Sequence, residues 1–248
     1  ACVTGAAYVT ITTSGTPTNR ASALRNFTVS TAGASAVIGT PPGTGSTITF
    51  TLQPWIYNAS RTFWVGYDFP VKGDDSGTLS GTSTTRFTIS VNNALGTKPS
   101  SNSGGIVSAN VIRGLTISKS ADLSFGRFFA PTSGSGVVTI NQANGQVSVT
   151  GTGTTALPGV TPTVAQFAVA GEGGQSISVS VPSTFTMTAP GGTIQVTTSP
   201  NVSGAQVLSG TTGTLGALAI RVGGSYPVYA GMPGGNYSGT LAVMVQYN

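Results

Sequence analysis

Histidine is absent from these 248 residues, and cysteine occurs once, as Cys2. Without imidazole or a second thiol, the chain can assemble no His-based triad, no imidazole or thiolate metal centre and no intrachain disulfide. Carboxylates are almost as scarce, being confined to Asp68, Asp74, Asp75, Asp122 and Glu172. The expectation is therefore a protein that is not an enzyme and carries no cofactor. No stretch of about 20 apolar residues is present to cross a bilayer as a helix, so no membrane span is expected. Charged residues make up only 6% of the chain, against roughly 25% in an average soluble domain. The formal charge is +5, but its ten basic residues are scattered and form no stripe. A nucleic-acid surface needs clustered Lys and Arg to neutralise neighbouring phosphates, and no such partner is expected.

Glycine, serine, threonine and β-branched residues take the place of charge. Val, Ile and Thr recur in short alternating runs separated by Gly-rich turns, which is the pattern of strands and not of disorder. In the second half the runs are Thr116 to Phe129, 136–140, 146–149, 164–170, 176–181, 193–198, 217–222 and Ser238 to Tyr247. The first half offers 3–13, 26–30, 46–52, 62–67 and 85–91. Helical spacing is hard to find. Between the halves, residues 96–105 (Gly-Thr-Lys-Pro-Ser-Ser-Asn-Ser-Gly-Gly) read as a linker. The sequence thus predicts an all-β chain of two sandwich units: an N-terminal β domain over 14–95, preceded by a separate strand at 1–13, and a C-terminal β-sandwich over 106–248. Phe69-Pro70-Val71 followed by Ser80-Gly81-Thr82, and Tyr226-Pro227-Val228 followed by Ser238-Gly239-Thr240, suggest either a duplicated unit or convergent turn chemistry.

Residues 106–248 resemble a bacterial secreted domain of unknown function related to archaic-type chaperone-usher pilins and to spore-coat-U-like proteins. The resemblance rests on Leu123-Ser124-Phe125-Gly126, Gly134 to Val137, Ala165 to Gly171, Val222-Gly223-Gly224 and the ending Gly235 to Asn248. It implies immunoglobulin-like, pilin-like sandwiches that lack a strand. It also implies delivery by a periplasmic chaperone to an outer-membrane usher, and self-assembly into a homopolymer by donor-strand exchange. The opening at Ala1 fits removal of an export signal, so the expected location is extracellular, in a cell-surface fimbrium reached through the periplasm.

A polymer of this kind needs a segment that can fill a neighbour's groove. At the N-terminus, Val3, Gly5, Ala7, Val9 and Ile11 form one small or apolar face, and the alternate positions are mostly Thr. This segment is either the donor strand or the first strand of its own domain. Val107, Ala109, Val111, Leu115 and Ile117 form a second alternating series, which suits an ordinary first strand of the second unit. Trp55, Tyr57, Trp64 and Tyr67 crowd part of the first unit and offer an adhesive surface, with core packing as the cheaper explanation. Asp74-Asp75 reads as a solvated turn or a calcium turn, and the sequons at Asn26, Asn58, Asn201 and Asn236 read as chance occurrences. The leading expectation is a structural pilin subunit of a fibre shaft, and the alternative is a two-domain tip adhesin that binds a surface or glycan through its first domain. A coat protein that does not polymerise stands third.

Overall fold

Alternation of apolar and polar residues builds nearly all of the regular structure in the computed structural model. The structure describes residues 5–31, 37–38, 42–54, 60–72, 82–93 and 101–248. Among them are eighteen strands and no helix, hence no helix long and apolar enough to cross a membrane. The chain divides into two compact units, Ala1–Val111 and Ile112–Asn248.

Six strands make up the first unit: β1 (Ala7–Ser14), β2 (Arg25–Thr31), β3 (Thr47–Leu52), β4 (Phe63–Asp68), β5 (Ser83–Asn93) and β6 (Ser101–Ala109). One sheet runs β3-β1-β5-β6 and a second pairs β2 with β4, both antiparallel. Ala7, Val9 and Ile11 turn inward from β1 and are fully buried. They meet Ile48, Phe50 and Leu52 of β3, with Phe27 of β2 and Phe63 and Val65 of β4 closing the core from the opposite sheet. Ring edges interlock there, Phe50 on Phe63 at 5.3 Å and Phe27 on Phe87 at 6.4 Å. On the solvent side the hydroxyls of Thr12 and Thr47 pair across the strands at 2.8 Å.

Two sequence expectations change here. Ala7, Val9 and Ile11, read as candidate donor residues, sit in an interior strand of their own unit, between β3 and β5. Gly5 precedes that strand, and Val3 lies outside the described residues. An apolar face that suits a neighbour's groove is the same face that an interior strand needs, so the pattern could not separate the two. Nor do residues 101–105 form a linker. They belong to β6 and pair with β5 from Val91↔Ser101 to Phe87↔Gly105. The ring of Phe87 lies over Gly105, where a side chain would collide with it. An aromatic covering a strand glycine supplies the packing that the glycine lacks, and composition alone hides this. The boundary between units falls at Val111, whose carbonyl accepts from the buried Arg20 guanidinium at 3.0 Å. Residues 96–100 lie outside the described residues.

Twelve strands make up the second unit. They are β7 (Thr116–Ala121), β8 (Arg127–Phe129), β9 (Ser135–Ile140), β10 (Val147–Val149), β11 (Thr155–Leu157), β12 (Ala165–Glu172), β13 (Ser176–Ser180), β14 (Thr184–Ala189), β15 (Gly192–Pro200), β16 (Gly204–Val207), β17 (Leu215–Tyr229) and β18 (Met244–Tyr247). The main sheet runs β10-β9-β17-β12-β7, with β15 and β14 joined on at β17, and a three-stranded sheet runs β16-β13-β18. β8 and β11 form a separate pair. β17 is the spine. It pairs with β12 over 215–222, with β15 over 222–225 and with β9 over 224–229. Partners change at Gly223-Gly224, where a Cβ on Gly224 would stand 2.6 Å from the Thr197 carbonyl. Only glycine admits so close a backbone approach. Pro227 falls where β9 alone still pairs with the spine, so its missing N–H costs no bond to β12 or β15. Phe69-Pro70, by contrast, follows the end of β4. The two aromatic-Pro-Val triplets therefore hold different positions in their sheets, against a structural repeat.

Removing residues 7–14 takes out the centre of the first sheet. It should unfold the first unit, seen as loss of its protected amides in hydrogen exchange. Ile11→Ala should destabilise that unit by about 2–5 kcal/mol in denaturant titration.

Candidate functional site: an open groove in the second unit

Two unpaired sheet edges lie on one side of the second unit. β7 is the outermost strand of the main sheet and β18 of the three-stranded sheet. Between them lies a cavity of about 640 Å³ lined by Leu115, Ile117, Ser178, Ser180 and Val243 to Gln246. A second cavity of about 550 Å³ is walled by residues from Leu123 to Ala130 on one side and from Met232 to Tyr237 on the other. Met187, Ile194, Tyr226 and Val228 floor it. Numbering rises along one wall as it falls along the other. The same two stretches of chain, 115–130 and 232–246, running in opposite directions, therefore wall both cavities.

Burial marks the same place. β9 alternates buried and exposed residues, but no residue of β7 or β18 is buried. Leu115, Leu241, Val243, Val245 and Tyr247 pack on the core of Val169, Ile177, Val179 and Ile220 yet remain half-exposed. Ile117 is 38% exposed. Apolar side chains on the inner face of a finished sandwich would be covered. Among the described residues no further strand pairs with the outer edges of β7 and β18, so their N–H and C=O groups stand ready to pair. The wall from Ser238 to Val243 was expected as part of a longer strand. It is extended, touches β14 through the Thr188↔Ser238 bridge, and becomes a strand only at Met244.

One end of the cleft is tied by a buried polar cluster that sequence reasoning missed. Glu172, at the end of β12 and 1% exposed, accepts from the backbone N–H of Arg113 at 2.9 Å and from that of Gly213. Its carboxylate also stands 3.8 Å from the Arg113 guanidinium. The Tyr247 hydroxyl donates to the Arg113 carbonyl at 2.9 Å and accepts from the Glu172 N–H at 2.7 Å. The segment leading into one wall and the end of the other are thereby fixed to the same strand. That Glu172 is the chain's one glutamate was the available signal, because a lone acid in a charge-poor β chain has to be placed somewhere. At the other end Phe125 meets Tyr226 edge-on at 4.8 Å. Burial pushes the Tyr226 hydroxyl up to about 12.

Residues 115–247 match a domain of unknown function, DUF4402. The chain belongs to this family. The matched span begins at Leu115 and ends at Tyr247, so the DUF4402 domain contains both walls of the cleft. No curated protein and no solved structure matches the chain.

The candidate aromatic surface of the first unit divides. Period-two alternation along β4 puts Trp64 outward, 56% exposed, whereas Tyr67 rests its ring on Phe27 and Phe87, each at 6.1 Å, and still keeps 38% of its surface exposed. Trp55, Tyr57, Asp74, Asp75 and Cys2 lie outside the described residues. Val107 and Ala109 belong to β6, and Ile117 to β7, so that alternating series is shared between the two units.

Glu172→Ala leaves a buried guanidinium without its carboxylate and should destabilise the second unit by about 3–5 kcal/mol. Tyr247→Phe should cost about 0.5–1.5 kcal/mol. Both are read by denaturant titration. Tyr226 ionises near 10 in the unfolded chain, so its contribution is whole below pH 10. It should fade as pH rises from about 10 to about 12, weakening the unit by on the order of 2 kcal/mol. Tyr226→Phe should remove that part of the alkaline loss.

Proposed function

We propose that this chain is a strand-accepting subunit of a bacterial surface fibre and that it occupies the fibre's tip. The second unit would be an immunoglobulin-like pilin domain, completed when a neighbouring subunit lays a strand into the cleft between β7 and β18. The carrying observation is the pairing of that open cleft with a β1 already committed inside its own unit. A shaft subunit must both accept a strand and give one. With β1 buried between β3 and β5, giving it away would cost the first unit its core. A β1 that cannot be given away favours a position at the end of a polymer.

Insertion is favourable for simple reasons. Each partly buried Leu, Ile or Val that becomes covered contributes a fraction of the about 1.5–3 kcal/mol that full burial is worth, and each added ladder hydrogen bond about 0.5–1.5 kcal/mol net. The same sum explains the need for a periplasmic chaperone, which would cover the cleft until an usher exchanges it for a subunit's strand. The first unit, whole without a partner, would remain free to meet a surface outside the cell. The resemblance of residues 106–248 to archaic-type pilins supports the same reading.

Ile117→Arg and Val243→Arg place a charge in the cleft and should abolish incorporation into fibres, scored by immunoblot of sheared fibres. The unfolding of the first unit should stay unchanged. Gold-labelled antibody should mark one end of each fibre. Label repeated along the length would overturn the terminal position, and normal incorporation of both arginine variants would overturn strand acceptance.

A further inference from the structure

The outer face of the β2–β4 sheet has a chemistry that the fibre reading does not use. On β4, Trp64, Gly66 and Asp68 point outward in a row, and on β2 Ser30 and Thr28 stand opposite Trp64 and Gly66. Asn26, at a bulge with φ 53°, donates from its amide to the Asp68 carboxylate at 2.6 Å. The row from residue 64 to 68 is roughly 13 Å long. A side chain on Gly66 would run into the Thr28 hydroxyl. The middle of the strip therefore stays low, with an indole at one end and a fixed carboxylate–carboxamide pair at the other.

A Trp that anchors a protein interface sits in a well-packed, desolvated pocket ringed by contacts that shut out water. Here its neighbours on the strip are hydroxyls and a glycine, so an apolar partner would gain one indole and little else. A ligand with a single apolar face and many hydroxyls fits better. The face of a hexose ring stacks on the indole, while planar acceptors and donors fixed at the far end take up its hydroxyls. Asp68 faces Arg25 in register, which leaves the strip without net charge and favours neutral sugars. We infer that the Trp64–Asp68 strip of the first unit is a binding site for neutral hexose oligosaccharides.

This inference rests on the tip reading only for its biological setting, because binding is measured on the purified full chain away from any fibre. Short neutral gluco-, manno- and galacto-oligosaccharides are titrated by calorimetry. At least one series should bind. Trp64→Ala should weaken it by roughly tenfold or more, Trp64→Phe should retain part of the affinity, and Asp68→Asn should weaken it several-fold. Tyr8→Ala, an exposed aromatic on the other sheet, should leave it unchanged. Binding of none of the three series would overturn the site, as would wild-type affinity in Trp64→Ala or an equal loss in Tyr8→Ala. A chain that binds sugar but labels the shaft sinks only the tip reading. One that caps fibres and binds no sugar sinks only this site.

Discussion

A strand edge cannot stay bare without consequence, because its N–H and C=O groups pair with whatever extended chain they meet. The two units of this protein answer that constraint differently. In the first, β1 runs between two neighbours and its apolar face is sealed under the second sheet. In the second, β7 and β18 each keep one unpaired edge, and both edges border the same apolar cleft. If that slot takes a neighbour's strand, as proposed, its shape has to stay open and defined.

The defined shape comes from fixing the walls at points away from the slot itself. β17 holds three partners in succession and aligns the floor, turning from β12 to β15 to β9 at a pair of glycines. Glu172 gathers the entry to one wall, the end of the other and the loop at Gly213 into one buried cluster. A charge buried this deeply is not there for stability alone, since an apolar group of similar volume often serves as well. What it adds here is a tie between Arg113, Gly213 and the end of β12, beside the Tyr247 hydroxyl.

Much of the strand content was legible. Runs such as 46–52, 136–140 and 176–181 lie within or beside observed strands because one face of each is buried and the other is wetter. The first half of β6 was not legible, since Ser-Asn-Ser-Gly-Gly has no apolar face and Gly105 lies under the ring of Phe87. β14 was passed over although Phe185 and Met187 alternate with threonines. The aromatic group near residue 64 read as one surface, whereas alternation along a single strand leaves Trp64 free of ring contacts and sets Tyr67, still partly exposed, against Phe27 and Phe87. The cleft itself has no motif. Its walls are distant in sequence, and each looks like an ordinary strand until the absence of a neighbour is seen in space.

The sequence by itself determined that this is an all-β chain with no histidine and a single cysteine, because composition and period-two alternation are local properties. Tertiary structure decided which alternating segment is interior and which borders an opening. Ala7, Val9 and Ile11 have the same kind of pattern as a strand that fills a groove, and Leu115 and Ile117 the same kind as a strand that is covered. Whether an apolar face is sealed depends on what lies across from it, and that information is carried by residues tens of positions away.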